Sequence, residues 1–569
     1  MNKVIGKLRP SQLIQYHAPG AIADLIEDSV MITAADDWRI PYTNKIHEQR
    51  LEGFLGVSHL KLINDQEDKV KVTATPFPKW RICPTCGMMD PYASKTCYYC
   101  EKQDHKEIKL YPARFITVCE KGHISDFPWV EWVHEGKECT SDKPVLKYES
   151  KGNAGSLSDI KVTCVKCWKP RTLGKVMKKD ELQKVLPNCT GDRPWLNDQE
   201  ECHEDMQTSI RSASNIYTPT ITSALSIPLE EGMEDELQVK VEEFRGGITN
   251  LISSIPVEDV LKQAICGMLS IPLQQYDRAM KYYHREGQFF TFDSIRKQEW
   301  GTFLRRNVDD RYETGFLSKE VPVPKELEEY FQSIIRVDKL REIRVLRGFN
   351  RLYYPDPFSE EKHDILPIMK SKQDWLPAIN VFGEGIFFEF NLSKLLEWES
   401  NPLVEGEAEK IIERYNLQRE QFGYNSRALQ PRHVLIHSFS HMMLKEFAAH
   451  SGYATTALRE RLYCSDEMAG VLIYTASSDS EGSLGGLIEL TSSEKLVPIF
   501  LRALEKMEYC SSDPHCADGD FKMQTAINGA ACHSCSYVSE TSCEWNNQLL
   551  DRRMLTPLID YEELAYFYI

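Results

Sequence analysis

The chain has 569 residues, 42% of them hydrophobic and 27% charged, an ordinary globular composition with length for roughly three or four domains. Its net charge of −17 excludes a protein that coats nucleic acid with its whole surface, because phosphate binding needs basic surface, although a local basic strip remains compatible with it. No apolar run approaches the roughly 20 residues needed to span a bilayer, and MNKVIGKLRPSQLIQYHAPG has no signal-peptide core, so a cytoplasmic protein is expected.

In chain order, 1–80 reads as a β-rich segment, with SVMITAADDWRIPY and DKVKVTATPFPKW alternating in the β manner. Residues 81–205 hold most of the 17 cysteines and few long helical patterns. The pattern turns helical over 206–345, as in VEDVLKQAICGMLS and KELEEYFQSIIRVDKLREIRVL. Residues 346–500 mix the two: INVFGEGIFFEFN and AGVLIYTASS read as buried strands, and PRHVLIHSFSHMMLKEFAAHS reads as a helix opened by its proline. From 501 a second cysteine-rich segment ends in an expected helical tail, CEWNNQLLDRRMLTPLIDYEELAYFYI. The fold class expected is α+β, or mixed α/β, in several domains: a zinc-ribbon-rich N-terminal half, a helical middle, an α/β core and a C-terminal four-cysteine zinc domain.

In a reducing cytosol paired cysteines serve as metal ligands more often than as disulfides. Cys83, Cys86, Cys97 and Cys100 form two Cys-x-x-Cys turns, each presenting two sulfurs to one tetrahedral Zn²⁺. Cys119, His123, His134 and Cys139 offer a second set through two short arms; surface histidines and free thiols are the competing reading. Cys164 and Cys167 open a third set, with Cys189 and Cys202 as partners and His203 able to replace Cys202. At the C-terminus Cys510, Cys516, Cys532, Cys535 and Cys543 supply five thiols for four places. Cys532 and Cys535 are the clear arm, completed by Cys516 and Cys543 with Cys510 in reserve, whereas Cys266 and Cys464 read as buried free thiols. Three or four zinc ions are expected, all structural, since filled tetrahedra leave no position for a reacting water.

No G-x-x-x-x-G-K-[ST] phosphate loop occurs, so an independent ATP motor is not expected, and GSLGGL lacks the lysine and serine of such a loop. HLKLINDQED nearly matches an H-x-K-x-x-x-x-D nuclease core, but Gln66 stands where the aspartate belongs and there is no second copy. The best enzymatic candidate is the helix carrying His433, His437 and His441 on one face, with Asp479 and Glu481 of SDSEG as carboxylates for a metal-dependent nuclease or hydrolase. Serine replaces the general-base glutamate of H-E-x-x-H in HSFSH, which favours a buried helix with hydrogen-bonded histidines. Two basic strips with aromatic residues, KVTCVKCWKPRTLGKVMKK around Trp168 and RVDKLREIRVLRGFNRLYY, suit single-stranded nucleic acid, and a partner-independent DNA-binding module is the third reading. A solvated face, diluted by Asp338 and Glu342, is the bland reading of the second strip.

GVLIYTASSDSEGSLGGL, IHSFSHMM, TTALRERLYC and NGAACHSCSYVSETSCEWNNQLLDRRML together resemble the helicase-associated zinc-binding family of unknown function, also found at the C-terminus of DNA-repair helicases of the mitomycin-repair type. LRPSQLIQYHAPGAIADL, PFPKWRICPTCG and SNIYTPTITSALSIP extend the resemblance, from about residue 8 onwards, to the stand-alone members of that family in the DISARM anti-phage system. The resemblance implies a cytoplasmic defence protein that partners a separate superfamily 2 DNA helicase, of the DrmA type, and helps it act on phage DNA. It also implies a shared zinc site at Cys516, Cys532, Cys535 and Cys543, with Cys510 leaving the quartet open. It carries no catalytic residue onto this chain.

Overall fold

The computed structural model describes residues 4–41, 44–63, 70–150, 156–228, 258–269, 272–273, 290–310, 315–353, 365–371, 374–475, 485–518 and 527–569. Helices and strands are mixed along the chain, as expected. The chain forms two compact units, each gathered from separated segments: Met1–Ile46, Leu55–Thr222 and Arg344–Ile379 in the first, His47–Phe54, Ser223–Ile343 and Asn380–Ile569 in the second.

The first unit contains several small antiparallel sheets, beside a parallel pairing of His59–Leu62 with Trp375–Ala378. Phe115–Val118 lies between Ile124–Asp126 and Gln207–Ile210, and Ile160–Cys164 between Leu146–Ser150 and Pro170–Thr172. Strands this short bury little apolar surface alone. The core beneath them therefore relies on large rings, Phe115, Phe127, Trp129 and Trp132, packed together with Cys119, Cys164, Cys189 and Cys202. Arg351 is also internal. Its guanidinium donates to the carbonyls of Gly20 (2.8 Å), Gly122 (3.0 Å) and Ile216 (2.7 Å) and lies over Trp195 and Phe349.

The expected strands over INVFGEGIFFEFN and AGVLIYTASS occur as Trp375–Phe390 and Ala469–Thr475, with residues 476–478 outside the described residues; in the second unit Gly385–Glu389 pairs antiparallel with Gly470–Tyr474, and Leu458–Cys464 lies beyond. Both expected strands are rich in β-branched and aromatic residues and are buried on both faces. The expected helix spans Pro431–Ser451, with Pro431 in its first turn and Gly452 as a left-handed C-cap. Its residues from 432 to 447 are buried almost all round, the pattern of a helix inside a core. Phe439 meets Phe331, Phe388, Phe390, Phe500 and Phe567 there.

Two expectations about the elements are corrected. Within the expected helical middle, Glu258–Leu269 and Phe292–Leu304 are helices, but Phe331–Asn350 is a 20-residue strand. Its apolar positions mimic helical spacing, yet it is rich in Ile and Val and pairs with Leu317–Val321, so burial on both faces overrides the local pattern. The C-terminal tail contains only the short 3₁₀ turns Arg552–Met554 and Glu562–Leu564. Left-handed φ at Asn546, Asn547, Leu549 and Asp560 breaks the helix, and the tail instead seats Tyr566 and Phe567 in the aromatic core.

A buried ion pair organises the second unit. Arg461 donates to Glu299 through Nη2 (2.6 Å) and Nε (2.7 Å), while the Tyr463 hydroxyl and the Leu225 amide also donate to that carboxylate. Glu299→Ala is expected to destabilise the protein by about 3–5 kcal/mol, because the buried guanidinium loses its bidentate partner and is left with the longer Glu342 contact at 3.9 Å. Urea unfolding of the full chain reads this as a lowered midpoint.

Candidate metal centres

None of the 17 cysteines is in a disulfide. Fifteen of them, with four histidines and one glutamate, fall into five groups whose donor atoms lie within 4.8 Å of one another.

The first group joins Cys83, Cys86, Cys97 and Cys100, the quartet expected from the sequence. Cys83 follows the strand Arg81–Ile82, and Cys97 caps the helix Tyr98–Asp104, whose first turn carries Cys100. Gly87 closes the first knuckle at φ +72, and a Cβ there would lie 2.3 Å from the Tyr148 carbonyl oxygen. Sγ–Sγ separations are 3.7 Å (Cys83–Cys100) and 3.5 Å (Cys86–Cys97). A tetrahedron of thiolates at the Zn–S bond length has an edge of about 3.8 Å, so the cage fits zinc. Burial pushes the Cys83 thiol up, but the amides of Cys86 and Thr85 together with the thiols of Cys86 and Cys100 outweigh it and bring the pKa down to about 7, towards the thiolate that a metal binds.

The second and third groups correct the expected partition. Cys119 and His123 do not meet His134 and Cys139; they meet Cys189 and Cys202. His134 and Cys139 instead meet Cys164 and Cys167. All eight residues take part, but the partners are exchanged.

The fold explains the exchange. Cys119 and His123 face each other across the turn between Phe115–Val118 and Ile124–Asp126, with Sγ–Nδ1 3.3 Å. Cys189 and Cys202 are drawn together by the Cys189 amide, which donates to Glu204 O (3.0 Å), and by the Glu200 amide, which donates to Gly191 O (3.0 Å). Gly191 makes that close approach possible: its φ is +71, and a Cβ would sit 1.7 Å from Glu200 O. With Nδ1 facing the sulfurs, His123 Nε2 donates to Glu200 Oε1 at 2.7 Å, the carboxylate–histidine arrangement that fixes a metal-binding tautomer. In the third group His134 ends the helix Trp129–His134 and donates from Nδ1 to Val130 O (2.7 Å), leaving Nε2 3.2 Å from Cys167 Sγ. Cys139 and Cys164 are 3.8 Å apart. His203 is exposed and belongs to neither set.

The fourth group takes Cys510, the reserve, in place of Cys543, and joins it to Cys516, Cys532 and Cys535. Sγ–Sγ separations of 3.4, 3.7 and 3.8 Å again match a tetrahedral edge. Cys543 lies instead with His437, His441 and Glu460, all four buried. Glu460 carries no metal-ligand spacing in the sequence; it stands in TTALRERLYC, whose strand is buried on both faces, so that neighbouring Glu460 and Arg461 are both internal. His433 is half-buried outside this group, and Asp479 and Glu481 lie outside the described residues. Cys266 and Cys464 belong to no group.

The two basic strips separate. Arg344, Arg347 and Arg351 of the second are buried and serve the interior. In the first, Arg171 is held by Glu181 and Trp132, but Trp168 is 75% exposed on the knuckle formed by Cys164 and Cys167, with side chains of Lys161 and Lys175 also reaching solvent.

Residues 439–536 match the MrfA Zn-binding domain, and the fourth cysteine group lies wholly inside that span. Residues 9–218 match a domain-of-unknown-function family, DUF8724. Over 570 aligned residues the chain is 33% identical to the DISARM protein DrmB of Bacillus paralicheniformis, covering 96% of this chain and 99% of that protein. The chain belongs to the DrmB family. This DrmB-family protein is thus a DISARM protein with a zinc-binding domain and several further Cys/His cages suited to zinc. No helix among its described residues is long and apolar enough to cross a membrane.

Proposed function

We propose that the chain is a non-motor accessory subunit of an antiviral DISARM helicase complex in the cytoplasm. A separate superfamily 2 helicase, of the DrmA type, supplies ATP hydrolysis, and this chain helps it engage or process phage DNA. The supporting observation is the near full-length relation to DrmB. A chain with no phosphate-loop motif is consistent with a motor on another polypeptide.

The four cysteine-rich groups each hold one Zn²⁺: Cys83, Cys86, Cys97 and Cys100; Cys119, His123, Cys189 and Cys202; His134, Cys139, Cys164 and Cys167; and Cys510, Cys516, Cys532 and Cys535. Four protein ligands fill each tetrahedron, so the ions clamp loops and leave the chain's surface to partners.

The DNA-facing surface of this reading is the exposed knuckle of Trp168, where an indole beside lysines suits base stacking and phosphate contact. Trp168→Ala is expected to weaken single-stranded DNA binding about tenfold with unchanged zinc content, as measured by fluorescence anisotropy at fixed salt. The deciding experiment is affinity purification of the tagged full chain from cells carrying its own DISARM genes. A DNA-dependent ATPase of helicase size in stoichiometric yield is the expected companion. A chain that purifies alone and cleaves DNA with added divalent metal sinks the accessory reading.

A further inference from the structure

We propose that His437, His441, Glu460 and Cys543 form a fifth, mononuclear Zn²⁺ site, closed and structural, with a His₂–Glu–Cys donor set. This assignment stands apart from the accessory-subunit reading. It concerns residues of which two, His437 and Cys543, fall outside the span matched to the zinc-binding domain.

The first argument is convergence. His437 Nε2 is 3.1 Å from Cys543 Sγ and 3.1 Å from Glu460 Oε1, and His441 Nε2 is 3.5 Å from the same oxygen. Zn–N, Zn–O and Zn–S bonds of ordinary length give tetrahedral edges of about 3.3 Å for nitrogen–oxygen and about 3.6 Å for nitrogen–sulfur, close to these separations. All four side chains are buried, so the set is shielded from bulk solvent.

The second argument is that the surroundings orient the ligands. His441 Nδ1 donates to Ser536 O at 3.0 Å, which makes Nε2 the lone-pair nitrogen and turns it into the group. That Nε2 is buried and has no hydrogen-bond partner. Glu460 Oε1 accepts from the Glu544 amide (3.0 Å), and the Ser440 hydroxyl donates to Oε2. Cys543 Sγ accepts from the amides of Trp545 (3.3 Å) and Asn547 (3.2 Å). An amide two residues on that donates to a cysteine sulfur also occurs at Cys139, Cys189 and Cys510 in the other groups. Cys543 therefore has the local geometry of a zinc knuckle although no second cysteine stands near it in sequence.

The third argument is what the cluster lacks without an ion. A hydrogen-bonded arrangement gives His437 Nε2 one proton for two acceptors and leaves the buried His441 Nε2 without a partner. A Zn²⁺ takes all four lone pairs, and its two positive charges balance one carboxylate and one thiolate. The ion ties the helix Pro431–Ser451 to the strand Leu458–Cys464 and to the irregular tail after Cys543, which has few backbone ladders of its own.

The test is native mass spectrometry of the full chain, with cadmium-113 NMR of the cadmium-exchanged protein. Five metal ions are expected in the wild type and four in Cys543→Ser and in His441→Asn. The NMR reading does not depend on the variants folding. Two all-sulfur sites and two three-sulfur sites resonate downfield, and a fifth signal far upfield is expected from a single sulfur with nitrogen and oxygen ligands. A wild-type spectrum without that upfield signal, or a metal count that is the same in wild type and in a folded Cys543→Ser variant, overturns the proposal.

Discussion

A full-length chain carrying Cys119→Ser and Cys139→Ser together is expected to lose two zinc ions, whereas Cys119→Ser with Cys202→Ser loses one. The prediction separates two partitions of the same eight ligands. If neighbours in sequence shared an ion, Cys119 and Cys139 would sit in one cage and their joint loss would remove one metal. In the fold they belong to different cages, Cys119 with Cys189 and Cys202, Cys139 with Cys164 and Cys167. Each structural zinc contributes on the order of 10 kcal/mol. Cys119, Cys164, Cys189 and Cys202 also line the aromatic core of the first unit, so the first double variant is expected to be open to proteolysis across residues 81–210. Native mass spectrometry counts the metal, and one ion lost from Cys119→Ser/Cys139→Ser would refute the exchanged pairing.

Cys532→Ser is expected to release one zinc, loosen residues 510–518 and 527–535 and abolish co-purification of the proposed helicase partner. Cys532 Sγ lies 3.4 Å from Cys510 and 3.8 Å from Cys535, so one serine opens the cage. The damage should spread, because elements around this cage lean on it. Lys445 of the histidine helix donates to Cys535 O at 2.6 Å, and Arg552 donates to Met507 O (2.6 Å) and to Asp513 between the cage's first two cysteines. An unaltered metal count in this variant would remove the fourth site from the assignment. Lost zinc with the partner retained would move the docking surface away from this domain.

The local chemistry was legible in the sequence because it is set by spacing. Cys-x-x-Cys turns bring two sulfurs together by covalent geometry, and Cys83, Cys86, Cys97 and Cys100 needed nothing more than two such turns in succession. The proline-opened helix over 431–451 and the aromatic- and β-branched-rich strand over INVFGEGIFFEFN were equally plain, since propensity and burial agree there. What the tertiary structure decided is which arms meet. The Cys189 and Cys202 arms close on Cys119 and His123 because sheet pairing places Gln207–Ile210 against Phe115–Val118, a contact across some ninety residues of chain that no local pattern encodes. It also moved Cys543 from the thiolate cage to the histidines, made Glu460 their neighbour, and turned a helix-like spacing over 331–350 into a strand by burying both its faces. A metal cage reads only the positions of its donor atoms, so sequence names the ligands, and the long-range pairing of strands and loops sorts them into sites.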